Sequence, residues 1–335
     1  MVADFFYMDD IKMHFKSYSK FFFSRLPEEE KNAYKRILNA WLNFKDRVSV
    51  KNPHQKINFQ RVYQALVDDN PELFYVVRNS LSFRSGFGMT IVTVRFSMSE
   101  NEANAIKEQI YQIIQKVKAN ISGRDALRAI HDYLALNVQY ASNLYSENAH
   151  NICGPFLEKS AVCEGYSRAF KLMCDEVSIP CIIVSGVAID DNRTDNHAWN
   201  IVRKEKNNYH VDVTWNSGIY KSVKMPLYYS VSDAFMEKDH RWNRSIFPPC
   251  STPGSYEKEV FDIGSRKTLC DVIERMALQK KVPFVLNFNK QMGTVENLME
   301  LINEARAERN ISNVSSTSVV YLPNSNYVVV SFSYT

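Results

Sequence analysis

The sequence predicts an α+β chain of two or three units, on three observations. At 335 residues it is longer than one small core organises. Apolar stripes at helical spacing recur through its first two thirds, interrupted by short runs of period two. A proline-bearing stretch, Pro248-Pro249 and Thr252-Pro253-Gly254, reads as a linker before a last set of elements. The composition, 45% hydrophobic and 23% charged, is that of a globular protein and excludes disorder over most of the length. The 20 Phe, 18 Tyr and 4 Trp supply large side chains for the cores.

The first hundred residues read as α+β. Pro27 followed by Glu28, Glu29 and Glu30 marks a helix start, where acidic side chains meet the positive end of the helix dipole. Tyr34, Ile37, Leu38, Trp41 and Leu42 continue it as an apolar stripe. Phe59, Val62, Tyr63 and Leu66 form a second, shorter stripe that Asn70-Pro71 stops. Thr90 to Phe96 alternates as a strand, with Gly86 and Gly88 supplying the turn before it. Ser99 caps a long helix whose inward face is Ala103, Ile106, Ile110, Ile113, Ile114 and Val117. Another helix begins at Ser122, with Asp125 three residues on and Leu127, Ile130, Leu134 and Val138 inward.

Residues 141–161 read as a polar loop. Cys163 opens a helix with Phe170, Met173 and Val177 inward, and Pro180 ends it. Three strands follow: Cys181 to Val187, His197 to Arg203, and Tyr209 to Trp215, the last two joined by a short turn over Lys204 to Asn208. Lacking a glycine, this turn is expected to place Asn207 or Asn208 in the left-handed conformation. Beyond the linker, Thr268 and Thr294 each cap a helix, Val282 to Phe288 is a strand, and a final hairpin turns at Pro323 to Asn326 between arms holding Tyr321 and Val328.

Several function classes fall away. The net charge of +4 is spread over the chain with no basic block, so nucleic acid is excluded as a partner. The six cysteines, at 153, 163, 174, 181, 250 and 270, form no Cys-x-x-Cys pair, and no zinc or calcium ligand set emerges; no metal or other cofactor is expected. Sparse cysteines fit a reducing compartment. The aromatic N-terminus (Phe5, Phe6, Tyr7) is broken by charges, and no apolar run has the length of a membrane span. The expectation is a chain without membrane insertion. It is cytoplasmic by default, or secreted or cell-surface if a leader was removed.

Chemistry concentrates in one region. Cys163 at a helix start faces unpaired N–H groups that favour a thiolate and could donate to an oxyanion. A lone cysteine is as readily a small buried hydrophobe. His197 opens a strand. Asp212 lies among Tyr209, Val211, Val213 and Trp215, so its carboxylate, on the other face, needs a partner. A turn centred on Glu205-Lys206 sets Asp212 opposite Trp199 and makes His197 its diagonal neighbour, about 7–8 Å away at the backbone. The carboxylate can then hold the imidazole while the other ring nitrogen meets Cys163. Tyr166, Trp199 and Trp215 are candidate substrate-binding aromatics, Trp199 foremost because it shares a strand face with His197. His210 and His240 read as structural or surface residues rather than catalytic ones, and Cys153 as a packing cysteine.

These motifs carry a resemblance. Ala161-Val162-Cys163-Glu164-Gly165-Tyr166-Ser167, His197-Ala198-Trp199-Asn200 and Tyr209-His210-Val211-Asp212-Val213-Thr214-Trp215 resemble, in order, the nucleophile, histidine and aspartate motifs of the bacterial transglutaminase-like, papain-like cysteine superfamily. Tyr228 to Asp233, with His240 and Trp242 after it, resembles the segment that usually follows. Asp69 to Phe74 resembles an N-terminal region of many bacterial members. Asn216 departs from the pattern where an aspartate is common, and Cys153 precedes Gly154 where an aromatic is expected. The resemblance implies a catalytic helix packed on an antiparallel sheet, over residues 99–250. Smaller α/β domains at 1–98 and 255–335 would flank it.

It also implies a Cys163-His197-Asp212 triad acting on an amide or peptide carbonyl of a protein or peptide through a thioester. Hydrolysis and transamidation share every step but the last, so peptidase, deamidase and transglutaminase remain open. The alternative is a non-catalytic interaction module that keeps the fold. An acyl transferase acting on a small amine is a third, weaker reading. Oligomeric state is not legible.

Overall fold

A computed structural model of the chain describes residues 15, 18–121, 125–190, 193–223, 225–281, 283–288, 297–321 and 327–335. It is α+β throughout. The N-terminal part runs α1 (Phe21–Ser24), α2 (Glu28–Leu42), β1 (Arg47–Lys51), α3 (Phe59–Asp69), β2 (Ser82–Gly86) and β3 (Met89–Thr93). Strands pair in the order β1-β3-β2. Short β1 escaped the sequence reading, and β3 ends before the expected Phe96, which makes an isolated bridge to Val76. The acidic start of α2 does more than meet a dipole. Glu30 is buried, and Arg61 of α3 reaches both its oxygens, at 2.7 and 2.6 Å, tying the two helices together.

Next come α4 (Glu100–Ala119), α5 (Ala126–Asn137), β4 (Gln139–Tyr140), β5 (Ser160–Ala161) and α6 (Cys163–Glu176). Ser99 and Glu102 form a reciprocal capping box on α4. Asp125 caps α5 by accepting from Leu127 and Arg128; the expected start at Ser122 lies outside the described residues. Residues 141–161 are not the plain polar loop expected. A 3-10 turn (Asn148–His150) and a π-helical turn (Gly154–Glu158) bury Ile152, Cys153 and Phe156, and apolar burial on this scale organises the backbone.

The central sheet is antiparallel, in the order β10-β6-β7-β8-β9, from β6 (Cys181–Asp190), β7 (Arg193–Lys204), β8 (Asn207–Val211), β9 (Tyr229–Val231) and β10 (His240–Trp242). Between β8 and β9 lies α7 (Val213–Val223), and between β9 and β10 lies α8 (Asp233–Met236). The expected strand Tyr209 to Trp215 therefore stops at Val211. Asp212 caps the helix that follows, its Oδ1 accepting from Trp215 N–H at 3.0 Å and its carbonyl from Asn216 N–H at 3.2 Å. The β7–β8 register pairs Lys204 with Asn207 and Asn200 with Val211, so the turn is centred on Glu205-Lys206 as the sequence argument requires. Glu205, not Asn207 or Asn208, takes the left-handed conformation (φ 56°).

One face of this sheet meets α6: Asn200 donates to the Ser167 carbonyl, and Val202 and Val211 join a core shared with the N-terminal helices. The other face, with Val184, Trp199 and Ile201, packs on the C-terminal part. That part runs β11 (Val260–Ile263), α9 (Arg266–Leu278), β12 (Phe284–Phe288), α10 (Leu298–Glu308), β13 (Val314–Tyr321) and β14 (Tyr327–Tyr334), with sheet order β11-β12-β14-β13. Phe284, Leu286, Val328 and Val330 face α9 and α10, while Val285, Tyr327 and Val329 face the central sheet. Ser265 caps α9 through Thr268 N–H, so Thr268 sits inside the first turn rather than at its cap. Thr294 and the turn at Pro323 to Asn326 lie outside the described residues.

The stretch read as a linker is pinned to the sheet. Cys250 is fully buried, its N–H and carbonyl bonded to Asp233, and the Pro249 carbonyl accepts from Asn208. Gly254 lies so close to Ser230 that a Cβ there would sit 1.7 Å from the Ser230 carbonyl oxygen. Ser230, at φ 56°, is the extra residue of a bulge in the β8–β9 pairing, which shifts register between His210 and Val211. A bulge re-aims the strand end it interrupts, and here that end is Asp212. Among the described residues no helix is long and apolar enough to cross a membrane.

Candidate active site

Cys163 is the first residue of α6 and is partly exposed, whereas the other five cysteines are buried. Its cap, Val162, offers no side-chain acceptor, so among the described residues no side chain occupies the first-turn N–H groups. Gly165 answers a close approach: a Cβ there would lie 2.3 Å from the Ala149 carbonyl oxygen, which also accepts from Val162 N–H. The helix start is thereby docked on the 3-10 turn. Glu164 ties it further, bonding Arg78 (2.9 Å), His150 (3.0 Å) and Arg168 (2.9 Å), and these cations outweigh burial to hold its carboxyl well below the usual range. Arg78 belongs to the N-terminal part, so residues far apart in sequence set the place of Cys163.

His197 of β7 is buried, and its Nε2 lies 2.6 Å from Asp212 Oδ2. Cys163 lies near enough to the same imidazole to favour its charged form, by hydrogen bonding and charge. Burial works against a charged ring here, but the Asp212 charge and hydrogen bond, then Cys163, raise His197 to about 10. Asp212 is wholly buried; burial would raise it, yet His197 and then His240 hold it far below the ordinary carboxylate range. The Asp212 carboxylate thus favours the charged form of His197. Cys153 is the packing cysteine: burial, then Glu158, pushes its thiol up to about 12.

The three candidate aromatics differ in setting. Trp199 is fully buried beneath His197, ring centroids 5.9 Å apart, and its Nε1–H donates to His210 Nδ1 at 3.0 Å; it lines no opening. Its size is matched by Gly186, where a Cβ would lie 2.7 Å from the indole. Tyr166 is likewise fully buried within the core on α6. Trp215 is partly exposed and packs on His197 and His240, centroids 6.0 and 4.5 Å away.

Two further groups belong to the site: His240, given only a structural or surface reading in sequence, and Tyr140, which went unnoticed. His240 is fully buried with Nε2 3.2 Å from the same Asp212 oxygen that holds His197. The other is Tyr140, half exposed, whose hydroxyl is pushed up to about 12 by burial and then by Cys163, Asp212 and Asp195. Leu144 and Tyr145 lie exposed nearby in sequence, and the Leu144 carbonyl faces His150 Nε2 at 2.8 Å. For His240 the resemblance of its segment was the available signal; for Tyr140 there was only an isolated aromatic ahead of a polar stretch.

Among the described residues, two clusters bring three ligand-type atoms close together: His197, Asp212 and His240, and His210, Asp233 and Cys250. Hydrogen bonds already engage these imidazoles. His197 Nε2 meets Asp212, and His240 Nε2 and Nδ1 each face a carboxylate. His210 accepts from Trp199 at Nδ1, so its proton is on Nε2, toward Asp233 Oδ1 at 2.9 Å.

Residues 101–213 match the transglutaminase-like superfamily. Distant likeness extends to three solved structures. A candidate cysteine protease from Cytophaga hutchinsonii is 15% identical over 40% of this chain and 61% of its own, with TM-score 0.28. A TGase is 13% identical over 65% and 58%, with TM-score 0.30. The periplasmic domain of TgpA from Pseudomonas aeruginosa is 13% identical over 40% and 55%, with TM-score 0.27. The chain thus spans less than two thirds of the length of each of them. No curated protein matches it in sequence.

Proposed function

Residues 101–213 of this chain belong to the transglutaminase-like superfamily, and from that premise we propose a cysteine-nucleophile enzyme that attacks an amide or peptide carbonyl. The observation that carries the reading is the single buried carboxylate of Asp212. One of its oxygens caps α7 and the other holds His197, an imidazole that also feels a partly exposed cysteine at a helix start whose cap residue gives no side-chain bond. Cys163 and His197 form a thiolate–imidazolium pair. The thiolate adds to the carbonyl carbon, and the first-turn N–H groups of α6 receive the oxyanion. His197 gives its proton to the departing amine as the tetrahedral intermediate collapses to a thioester. Water or an amine then attacks the thioester, losing a proton to His197, and Cys163 is released. Asp212 keeps the proton on Nε2 throughout.

The exposed Tyr140, Leu144 and Tyr145 support a polypeptide as substrate, bound over the α6 start. The parts outside residues 101–213 act as walls of the site: Arg78 braces α6 from one side, and the C-terminal sheet closes the face behind Trp199. Iodoacetamide trapping near pH 6 tests the reading. Cys163 is expected to alkylate far ahead of the other five cysteines, and His197→Ala is expected to abolish that preference. A Cys163 no more reactive than the rest leaves the fold as an interaction module.

A further inference from the structure

The charge chain behind His197 does not end at Asp212. His240 Nε2 lies 3.2 Å from Asp212 Oδ2, and its Nδ1 lies 2.5 Å from Asp239 Oδ1. Asp239 Oδ2 in turn accepts from the Tyr228 hydroxyl at 2.6 Å. Each ring nitrogen of His240 therefore faces a carboxylate oxygen, an arrangement only the doubly protonated ring satisfies. The ring is walled in by Trp199, Trp215 and Tyr228, with centroids 5.0, 4.5 and 5.7 Å away. The charged or titratable groups facing it are Asp212, Asp239, His197 (centroids 5.4 Å apart) and His210, whose proton affinity it lowers.

We infer that His240 is a positioning residue for the proposed triad: a buried imidazolium, clamped by Asp239, that grips the Asp212 oxygen orienting His197 and shares its charge. The inference rests on the triad reading for its catalytic meaning, though the physical link between the two imidazoles stands without it. Two rings on one carboxylate oxygen, with centroids 5.4 Å apart, are coupled: a charge on either raises the cost of a charge on the other. While His240 is charged, Asp212 is held from both sides and His197 keeps one orientation toward Cys163. Once His240 loses one proton, one of its nitrogens faces a carboxylate oxygen acceptor to acceptor, and the clamp opens on that side. Burial disfavours the charged ring, but Asp212 and Asp239 outweigh it and set this titration above 6.5. The two rings are told apart by their own signals, that of His197 being raised to about 10.

The test is an NMR titration of the imidazole signals of the whole protein, from about pH 5 to about pH 9, in wild type and His240→Gln. Glutamine keeps an N–H for Asp212 but carries no charge. In wild type the His197 signals are expected to show a step at the His240 midpoint; in His240→Gln that step vanishes. Iodoacetamide trapping of Cys163 is expected to run about tenfold faster in wild type below the step, the equivalent of one pK unit, and to converge above it. A purely structural role would instead give a rate ratio constant with pH. Absence of the His197 step, or a flat ratio, overturns the inference. Should His240→Gln fail to fold, Asp239→Asn is expected to move the step to lower pH, and an unmoved step overturns the inference equally. An unreactive wild-type Cys163 would sink the proposed function, while the imidazole titration would still decide this one.

Discussion

Two histidine–aspartate pairs sit on neighbouring strands of the same sheet and settle into opposite charge states. His197 of β7 meets Asp212 at 2.6 Å, and His210 of β8 meets Asp233 at 2.9 Å. Both rings are buried. Yet His197 is raised to about 10, whereas burial holds His210 below its ordinary value against the pull of Asp233. The other neighbours of each ring make the difference. His197 lies near Cys163, which favours its charged form; His210 receives an N–H from Trp199 at Nδ1, which favours the neutral ring. His240 and Arg244 add positive charge near His210, and Arg244 also draws on Asp233. A histidine–carboxylate contact alone thus says little about charge; the ring's other neighbours decide it.

The sharpest way to break the comparison is to neutralise each carboxylate in turn. Asp212→Asn keeps a cap for α7, since asparagine caps helices as well as aspartate, but leaves His197 without its counter-charge. Alkylation of Cys163 near pH 6 is expected to fall roughly a hundredfold, because an unassisted thiol is only a few thousandths ionised there. Asp233→Asn should change that rate by less than about threefold and instead lower unfolding free energy in urea by about 1–3 kcal/mol. Equal effects of the two substitutions on alkylation would erase the distinction.

A smaller effect is expected from Trp199→Phe, which removes the donor to His210 Nδ1 while filling most of the space. The His210 midpoint, read by NMR, should rise, with a stability loss of about 1–2 kcal/mol. An unmoved midpoint would mean that burial alone keeps His210 neutral.

The mildest consequence lies in stability against pH. The His197 value in the fold, about 10, is above its ordinary 6.5, so its contribution is whole below 6.5 and lost as pH rises through about 10. Asp212 is lowered from 3.8, so its contribution is present above 3.8 and lost as pH falls through its folded value. His210, lowered from 6.5, contributes above 6.5 and declines as pH falls below it. Thermal midpoints of His197→Gln should lose the alkaline decline, and those of His210→Gln the acidic one. Identical slopes in both variants would show that the two rings carry the same charge.

Much of the site was legible because its signals are local. A cysteine opening a helix and a two-residue turn that fixes a register are properties of short stretches, whereas the strand expected to open at His197 begins at Arg193. Cys163, His197 and Asp212 could be related from them without tertiary knowledge. The register argument held even though its strand was too long. The apolar alternation from Tyr209 to Trp215 continues into α7, and period two over so few residues cannot tell a strand from a strand that turns into a helix.

What the chain determined by itself, then, is the order and spacing of elements and which strand faces can meet, since backbone periodicity and turn length need no distant partner. Tertiary structure alone decided how each polar group ended: Trp199 buried rather than lining a cleft, His210 neutral, His240 drawn onto Asp212. Those outcomes depend on how deeply a ring is buried and which donor or acceptor the fold brings to its far side. Desolvation and hydrogen bonding act over a few ångströms in space, and residues 28 positions apart in the chain, such as Asp212 and His240, share that distance only once the sheet has closed.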